Sequence, residues 1–337
     1  MTVLHIGHEA ESFTEILGSS ATYVGTDPNA WDADYSRASI NLTAAVTRTN
    51  AAKLVLSSPL AEGWVQFRLT KSGGSGSTGV LMAAYTADDA STLFDINVTG
   101  SSASLYTFQT RGATSDTART AISPTTSIPS ATGSFITVHW QAVSGGMLIE
   151  LFVDGVLIST ATVSNAYLNG KSVGIFRFGG PRNADRIHLS ELIVADEDPR
   201  GWRVATLVPN AAGATSEWLG SYADVDEAIA DDADFISSGT PNQVQLMGMS
   251  NLSIAAQNME VRAVAVSGRA RRGTTGPQNL QTGIRTGGVN TFSSNLPGIV
   301  PFLAPLATVI WEANPATGLP FTISEVQSIE IGFKSVA

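Results

Sequence analysis

The sequence lacks cysteine and has no long apolar run, and each absence excludes a class of protein. None of the 337 residues is cysteine, which excludes disulfide scaffolds, cysteine-bound zinc, iron–sulfur clusters and thiol nucleophiles. No stretch of the chain approaches the ~20 consecutive apolar residues of a membrane-spanning helix. The opening segment MTVLHIGHEAESF has neither the basic region nor the apolar run of a secretory signal. We therefore expect no membrane insertion and no export through an N-terminal signal.

Charge is also scarce, and positive charge most of all. Charged residues make up 14% of the chain, against about 25% in an average soluble protein. The 19 lysines and arginines face 29 aspartates and glutamates, which gives a net charge of −10. This balance argues against a nucleic-acid binder, which needs a basic patch to displace counterions from phosphates. Hydrophobic residues, at 43%, suffice for one or two sizeable cores.

An apolar residue at every second position is the dominant pattern, and it predicts β-strands. Residues 64–70 place Val65, Phe67 and Leu69 on one face, and residues 136–142 repeat the scheme. Similar stretches, each bounded by turn residues, occur near 53–60, 78–86, 93–99, 104–110, 147–153, 156–163, 172–179 and 186–195. About ten strands with no convincing amphipathic helix between them predict an antiparallel sandwich of two sheets. Within it, Asp154-Gly155 predicts a type I′ hairpin, because both turn positions need a positive φ.

An acidic segment containing proline and glycine, residues 196–201, follows the last of these strands and predicts a linker. We therefore expect a first domain over residues 1–196, a linker over 197–202 and a second, smaller β-sandwich domain over 203–337.

The second domain has weaker patterns. We expect long strands over residues 261–270 and 306–312 and a final strand over residues 328–335. One short helical turn is predicted after Thr322, because Thr322 as N-cap and Glu325 three residues later form a capping box.

The first domain resembles the concanavalin A-like (laminin G-like) jelly roll. The resemblance rests on the tryptophan-bearing strand 135–143, the hairpin sequence from Gly146 to Gly155, and the closing strand 186–196. It implies an all-β fold in which the last strand pairs beside the first. Many functions share this fold, so the resemblance concerns architecture.

The second domain resembles a C-terminal region of virion proteins from tailed bacteriophages. The matching segments are 203–210, 225–227, 311–318 and 321–327. The resemblance implies a structural or adhesive component of a phage particle, such as a tail fibre, tail-tip protein or head-surface fibre. It also implies contacts with other virion proteins and with copies of the same chain, a trimer being our first expectation.

Hydrolysis of a glycosidic bond needs two carboxylates across the bond. The Glu-x-Asp-x-x-Glu run of laminarinase-like jelly rolls is missing, and Glu150 stands alone on its strand. The four histidines offer no metal site: His5 and His8 point oppositely on a strand, and His139 lies on the polar face of its strand, where we expect it to be solvated. We therefore predict a protein without catalytic activity, cofactor or metal.

Two charged groups in the second domain predict an assembly interface. The acidic loop could hold calcium, but its spacing favours a solvated loop or one that meets a basic patch on a partner. The densest basic cluster is a solvated strand end or a tip that contacts the acidic loop of another copy. These candidate interface residues are Asp224, Asp226, Asp231, Asp232, Asp234, Arg269, Arg271 and Arg272.

Trp31 and Tyr35 lie in a polar loop, where an aromatic ring is available to stack on a sugar. The alternative is that Trp31 fixes the N-terminal arm to the sandwich, since tryptophan is highly buried on average. Trp64, Trp140 and Trp311 lie in strands, where we expect them in the core.

Together these features predict an all-β virion surface protein, made in the host cytoplasm, in which the first domain binds host-surface polysaccharide. One alternative is a cellular lectin-like carbohydrate-binding protein. A polysaccharide depolymerase is a third interpretation, which would need carboxylates that meet in a groove.

Overall fold

The fold is that of a computed structural model, and it forms two compact units, residues 1–204 and residues 205–337. The structure describes residues 2–7, 13, 15–17, 21–24, 32, 34–36, 39–42, 51–72, 78–102, 105–115, 118–121, 126–129, 133–179, 186–227, 233–296, 304–306 and 308–337. The predicted all-β class is confirmed, because antiparallel sheets are the main regular structure of both units and the described residues contain one short α-helix.

The first unit contains two antiparallel sheets of eight strands, numbered in chain order. Sheet 1 comprises β1 (Val3–Gly7), β3 (Ala21–Val24), β4 (Ser39–Leu42), β6 (Glu62–Ser72), β12 (Ser134–Val143), β13 (Gly146–Val153), β14 (Val156–Ser164) and β16 (Arg186–Ala195). Its order is β14-β13-β12-β6-β16-β4-β3, and β1 also pairs with β16.

Sheet 2 comprises β2 (Glu15–Leu17), β5 (Ala51–Leu60), β7 (Thr78–Tyr85), β8 (Thr92–Ser102), β9 (Leu105–Ala113), β10 (Arg119–Ala121), β11 (Thr126–Pro129) and β15 (Val173–Phe178). Its order is β10-β9-β8-β7-β15-β5-β2, with β11 also paired to β9. This is a jelly-roll-like sandwich, as the sequence predicted.

The core of the first unit lies between the two sheets and is rich in aromatic rings. Trp140 on sheet 1 contacts Phe176 on sheet 2 edge-on at 5.4 Å between ring centroids, and Phe67 contacts Phe178 in the same way at 5.6 Å. All four rings are completely buried. The alternation of β6 and β12 therefore faces the core as predicted, since successive side chains of a strand point to opposite faces.

Two local predictions for this unit are confirmed. Asp154 and Gly155 have φ values of 48° and 79° and connect β13 to β14, which pair from Val153 and Val156 onward. The last strand of the sandwich, β16, pairs with the first strand, β1. The chain then continues along sheet 1, where Trp202 and Val204 pack against Ile193 and Ala195.

The second unit has one sheet of five antiparallel strands in the order β17-β18-β25-β21-β22. These strands are β17 (Pro209–Ser216), β18 (Val244–Met249), β21 (Asn279–Thr286), β22 (Val289–Phe292) and β25 (Glu330–Val336). Two small sheets pair β19 (Val264–Val266) with β24 (Val309–Trp311) and β20 (Arg269–Ala270) with β23 (Ala304–Pro305). Residues 222–224 and 256–258 form 3₁₀ turns.

The short helix α1 (Ile323–Gln327) begins as predicted. The Thr322 hydroxyl accepts a hydrogen bond from the Glu325 amide at 3.2 Å, and the Glu325 carboxylate accepts one from the Thr322 amide at 2.7 Å. This reciprocal pair is the capping box. Among the described residues, no helix has the length and apolarity needed to cross a membrane.

Two strand predictions in the second unit are wrong. The expected strand 261–270 is divided into β19 and β20, which belong to different small sheets. The division falls at Gly268, whose carbonyl accepts a hydrogen bond from the Leu306 amide at 2.8 Å. Glycine inside a strand pattern often marks such an interruption. The expected strand 306–312 is likewise shortened, to Val309–Trp311.

Candidate functional site

A row of mostly charged residues crosses the outer face of sheet 2. Lys53, Arg177, Ala83, Asp95 and Arg111 lie opposite one another on the adjacent strands β5, β15, β7, β8 and β9. Neighbouring strands are about 4.8 Å apart, so the row is about 19 Å long. Because strands alternate, the residues flanking Arg177, Phe176 and Phe178, face the core and leave the arginine on the outer face.

Arg177 is the most buried charge of this row. Its side chain is only 3% exposed, and its guanidinium lies 4.9 Å from the centre of the Tyr85 ring. Nη2 donates a hydrogen bond to Asp89, whereas Nε and Nη1 have no partner among the described residues. Buried donors without an acceptor are unfavourable, and native proteins seldom keep them without a functional reason.

Asp89 belongs to the turn between β7 and β8, residues 86–91, which reaches the same face. The turn is closed by a hydrogen bond from the Thr86 amide to the Ser91 carbonyl at 2.9 Å, and Asp88 accepts from the Thr86 hydroxyl at 2.5 Å. Asp89 has a φ of 59°, in the left-handed region that few non-glycine residues adopt. Its Oδ2 lies 3.5 Å from Lys53 Nζ, and its Oδ1 is buried without a partner among the described residues.

The other end of the row is an ion cluster around Asp95. Arg111 donates to both carboxylate oxygens, at 2.7 and 2.9 Å, and Arg119 Nε lies 3.4 Å from Oδ2. Burial raises the pKa of Asp95, and the hydrogen bonds from Arg111 offset that rise only in part. The described cations Lys53, Arg111, Arg119 and Arg177 thus share this face with the carboxylates of Asp88, Asp89 and Asp95.

The outer face of sheet 1 is occupied by the chain itself. Arg200 lies over the rings of Phe152 and Trp64, at 4.1 and 5.5 Å. The Trp202 carbonyl accepts a hydrogen bond from Gln66 Nε2 at 3.1 Å. The prediction that Trp64 lies in the core is therefore wrong: it faces outward beneath Arg200.

The sequence expectation that His139 is solvated is also wrong. His139 is 8% exposed rather than solvated, and its ring stacks on Trp64 at 4.2 Å. Nδ1 lies 2.9 Å from Glu150 and Nε2 lies 3.4 Å from Glu62. Glu150 is thus not alone, because the pairing of β12 with β13 and β6 places two carboxylates on one imidazole.

Of the two residues predicted to bind glycan, Trp31 lies outside the described residues, and Tyr35 is covered. The Arg203 guanidinium lies 3.5 Å from the centre of the Tyr35 ring. Arg203 also binds Asp32 at 2.6 Å and Glu191 at 2.7 Å. Burial by itself raises the pKa of Asp32, but the hydrogen bond from Arg203 brings that pKa below its ordinary value.

The acidic residues predicted to form an interface take different positions. Asp224 caps the 3₁₀ turn, since its carboxylate accepts from the Ser221 amide at 2.7 Å. Asp226 and Asp234 are both exposed. Asp231 and Asp232 lie outside the described residues. No group of three or more His, Asp or Glu residues suited to a metal ion occurs in the part of the chain that the structure describes.

The basic cluster lies nearer to the acidic loop than its separation in sequence suggests. Arg269 is half-buried on β20. Exposed Arg271 places its guanidinium 5.9 Å from the ring of Phe235, the residue after Asp234. Arg272 donates to Gln278 Oε1 at 3.1 Å. The structure therefore brings Arg271 to the end of the acidic loop within one chain.

Sequence reasoning missed every residue of the row on sheet 2. Lys53 and Arg177 are distant in sequence from each other and from Tyr85 and Asp89, and the pairing of β5, β15 and β7 brings them together. One signal was available: the segment Phe176-Arg177-Phe178 puts a charge inside an otherwise apolar strand. A charge at that position points to a functional face or an ion pair.

Known proteins resemble this chain in fold, at low identity. No family model matches the chain, and no curated protein does. A glucuronan lyase from the fungus Trichoderma reesei is 10% identical over 59% of this chain and 98% of its own, with a TM-score of 0.41. The globular domain of T. cruzi calreticulin is 10% identical over 58% of this chain and 89% of its own, with a TM-score of 0.43. A pentraxin from Limulus polyphemus is 16% identical over 46% of this chain and 74% of its own, with a TM-score of 0.32.

These comparisons correct the prediction that the protein lacks catalytic activity. Solved structures that resemble the chain include the glucuronan lyase and several alginate lyases. The missing carboxylate pair bears on hydrolysis of a glycosidic bond, and lyases are a different class of enzyme. The exclusion of an enzyme is therefore withdrawn, while the likeness itself concerns the fold and assigns no activity.

Proposed function

We propose that the protein binds a carboxylate-bearing polysaccharide on the outer face of sheet 2. The observation that carries this proposal is the buried guanidinium of Arg177, with two nitrogens that have no acceptor among the described residues. A carboxylate is the natural partner of such a group, because charge-assisted hydrogen bonds to arginine are strong and directional.

The surroundings of Arg177 support a sugar as the carrier of that carboxylate. Sugar hydroxyls both donate and accept hydrogen bonds, which matches the free donors of Arg177 and the free acceptor of Asp89. Tyr85 adds an aromatic ring to the same patch, and rings combine an apolar face with a polar tip. The length of the row, about 19 Å across five strands, supports a polymer lying across the strands rather than a single sugar.

Titration calorimetry with defined oligosaccharides tests this proposal. The probes are oligomers of glucuronan and alginate, the polymers named for solved structures of similar fold, and neutral counterparts with reduced carboxyl groups. We expect the acidic oligomers to bind, and binding to weaken with salt, since screening reduces attraction between exposed charges. The ultraviolet absorbance of unsaturated products, followed in the same samples, reports whether the bound polymer is also cleaved.

Arg177→Met keeps the length of the side chain and removes the charge. Loss of a charge-assisted hydrogen bond costs about 1.5–3 kcal/mol, so we expect affinity to fall at least about tenfold. Arg271→Met, at an exposed arginine of the second unit, is the matched control and should bind like the wild type. Equal binding by Arg177→Met and the wild type contradicts the proposal, as does preference for the neutral oligomers.

The setting we propose is the surface of a bacteriophage particle, with this binding face serving attachment to host polysaccharide. Support for this setting comes from the resemblance of residues 203–337 to phage virion proteins. On this proposal the chain assembles with its own copies, a trimer being expected, and with other virion proteins. Light scattering of the purified chain and mass spectrometry of purified particles test it; a monomer that binds sugar favours the lectin-like alternative.

A further inference from the structure

The binding face of sheet 2 already contains an anion in this structure. The carboxylate of Asp89 contacts Arg177 and Lys53 through a single oxygen, Oδ2. Its other oxygen and two nitrogens of Arg177 stay buried and unpaired among the described residues. The Asp89 carboxylate thus lies between Arg177 and Lys53 and leaves hydrogen-bonding groups of Arg177 and of Asp89 itself without a partner among the described residues.

The turn of residues 86–91 holds the backbone of Asp89 beside Arg177. Asp88 and Thr86 hold the turn through three hydrogen bonds of 2.5 to 3.1 Å, and Asp89 has a φ of 59°. From this position the carboxylate of Asp89 contacts Arg177 through Oδ2 alone. A carboxylate on a ligand can take two parallel hydrogen bonds from arginine.

We infer that Asp89 occupies the anion position of the binding face and that the carboxylate of an acidic sugar displaces it from Arg177. This inference rests on the proposed function and adds that Asp89 competes with the ligand carboxylate for Arg177. The side chain of Asp89 is 26% exposed, so rotation about its own bonds can release Arg177 without opening the turn. Asp89 then acts as a specificity-determining residue: only a ligand anion can replace it, and neutral sugars cannot.

The decisive variant is Asp89→Asn, which removes the competing charge. Asparagine tolerates the left-handed conformation that the turn requires, so the backbone of residues 86–91 should be preserved. We expect acidic oligoglucuronate to bind about tenfold more tightly to this variant than to the wild type, and the carboxyl-reduced oligomer to gain nothing. Asp234→Asn, at an exposed aspartate of the second unit, changes the net charge equally and should leave the affinity unchanged.

Calorimetry on the full chain separates the two ideas. If Arg177→Met weakens binding but Asp89→Asn does not strengthen it, the displacement is overturned and the proposed function stands. If Asp234→Asn strengthens binding as much as Asp89→Asn, the gain is a general charge effect and the displacement is again overturned. If neither the wild type nor Asp89→Asn binds an acidic oligosaccharide, the proposed function fails with it. Binding that appears only in Asp89→Asn overturns the displacement, because it means that the ligand carboxylate cannot replace Asp89 in the wild type.

Discussion

His5 is a histidine held neutral in the interior of the first unit. It is 4% exposed, its ring centroid lies 6.3 Å from that of Phe13, and burial lowers its pKa to about 3. Between pH 6.5 and about pH 3 the unfolded chain binds a proton at this residue and the folded chain does not. His5 therefore makes the protein less stable as the pH falls through that range, by about 1.4 kcal/mol per pH unit.

His5→Leu removes this proton uptake. Leucine buries no unpaired polar atom, whereas His5 Nε2 has no partner among the described residues. We expect the variant to lose less stability than the wild type between pH 7 and pH 5. Urea unfolding at both pH values measures the free energy of unfolding, and an equal loss in the two proteins contradicts the low pKa.

Within β25, Gly332 shows how closely two paired strands can approach. A Cβ atom at this position would lie 1.8 Å from the Gln245 carbonyl oxygen of β18, the strand that pairs with β25. Gly332→Ala must therefore separate the two strands at the middle of the five-stranded sheet. We expect a loss of about 3 kcal/mol or more, which is typical of strain in a packed core. Gly239→Ala, where a Cβ meets nothing within 4 Å, is the control, and thermal unfolding is the measurement.

At the level of strands, local pattern and long-range pairing differ in what the sequence reveals. The alternation of residues 136–142 and the Asp154-Gly155 turn are local, so both could be predicted. The contact between His139 and Glu150 could also be predicted from the sequence. A tight turn at Ser144-Gly145 pairs residues whose numbers sum to 289, which places His139 opposite Glu150.

The site on sheet 2 could not be deduced in this way. Lys53 lies opposite Arg177, 124 positions along the chain, and no turn chemistry fixes the register of strands so distant. The left-handed conformation of Asp89 was equally hidden, because an Asp-Asp pair in a turn leaves open which residue adopts it. The proposed binding face therefore lies in the part of this fold that depends on long-range pairing.

For the molecule as a whole, the two outer faces of the sandwich have different roles. Residues 200–204 pack on part of sheet 1, where Arg200 lies over Phe152 and Trp64. On sheet 2, Arg177 and Asp89 have buried polar atoms that are unpaired among the described residues. The packing of residues 200–204 stabilises the first unit, and on the proposed function the unpaired atoms of sheet 2 are where a ligand binds. The segment expected to be a linker thus completes the first unit.

Arg203→Met tests how strongly that segment stabilises the first unit. The Glu191 side chain is fully buried and accepts hydrogen bonds from Arg203 and from the Val204 amide, at 2.7 and 3.2 Å. Removing the arginine takes away its hydrogen bonds to the buried carboxylate and leaves Arg68 as a remaining cation that interacts with Glu191, so we expect part of the about 3–5 kcal/mol that breaking a buried ion pair costs. We expect faster hydrogen exchange in β6 and β16 of the full chain, measured by mass spectrometry.

The same experiment contains its own reference. The contacts of Arg203 with Asp32, Tyr35 and Glu191 all lie within residues 1–204, so exchange in β18 and β25 of the second unit should stay unchanged. Adding Glu191→Gln to Arg203→Met removes the stranded charge and should restore much of the protection of β16. Unchanged exchange in β16 of the single variant contradicts a stabilising role for the segment, because protection of a buried strand follows the free energy of opening it.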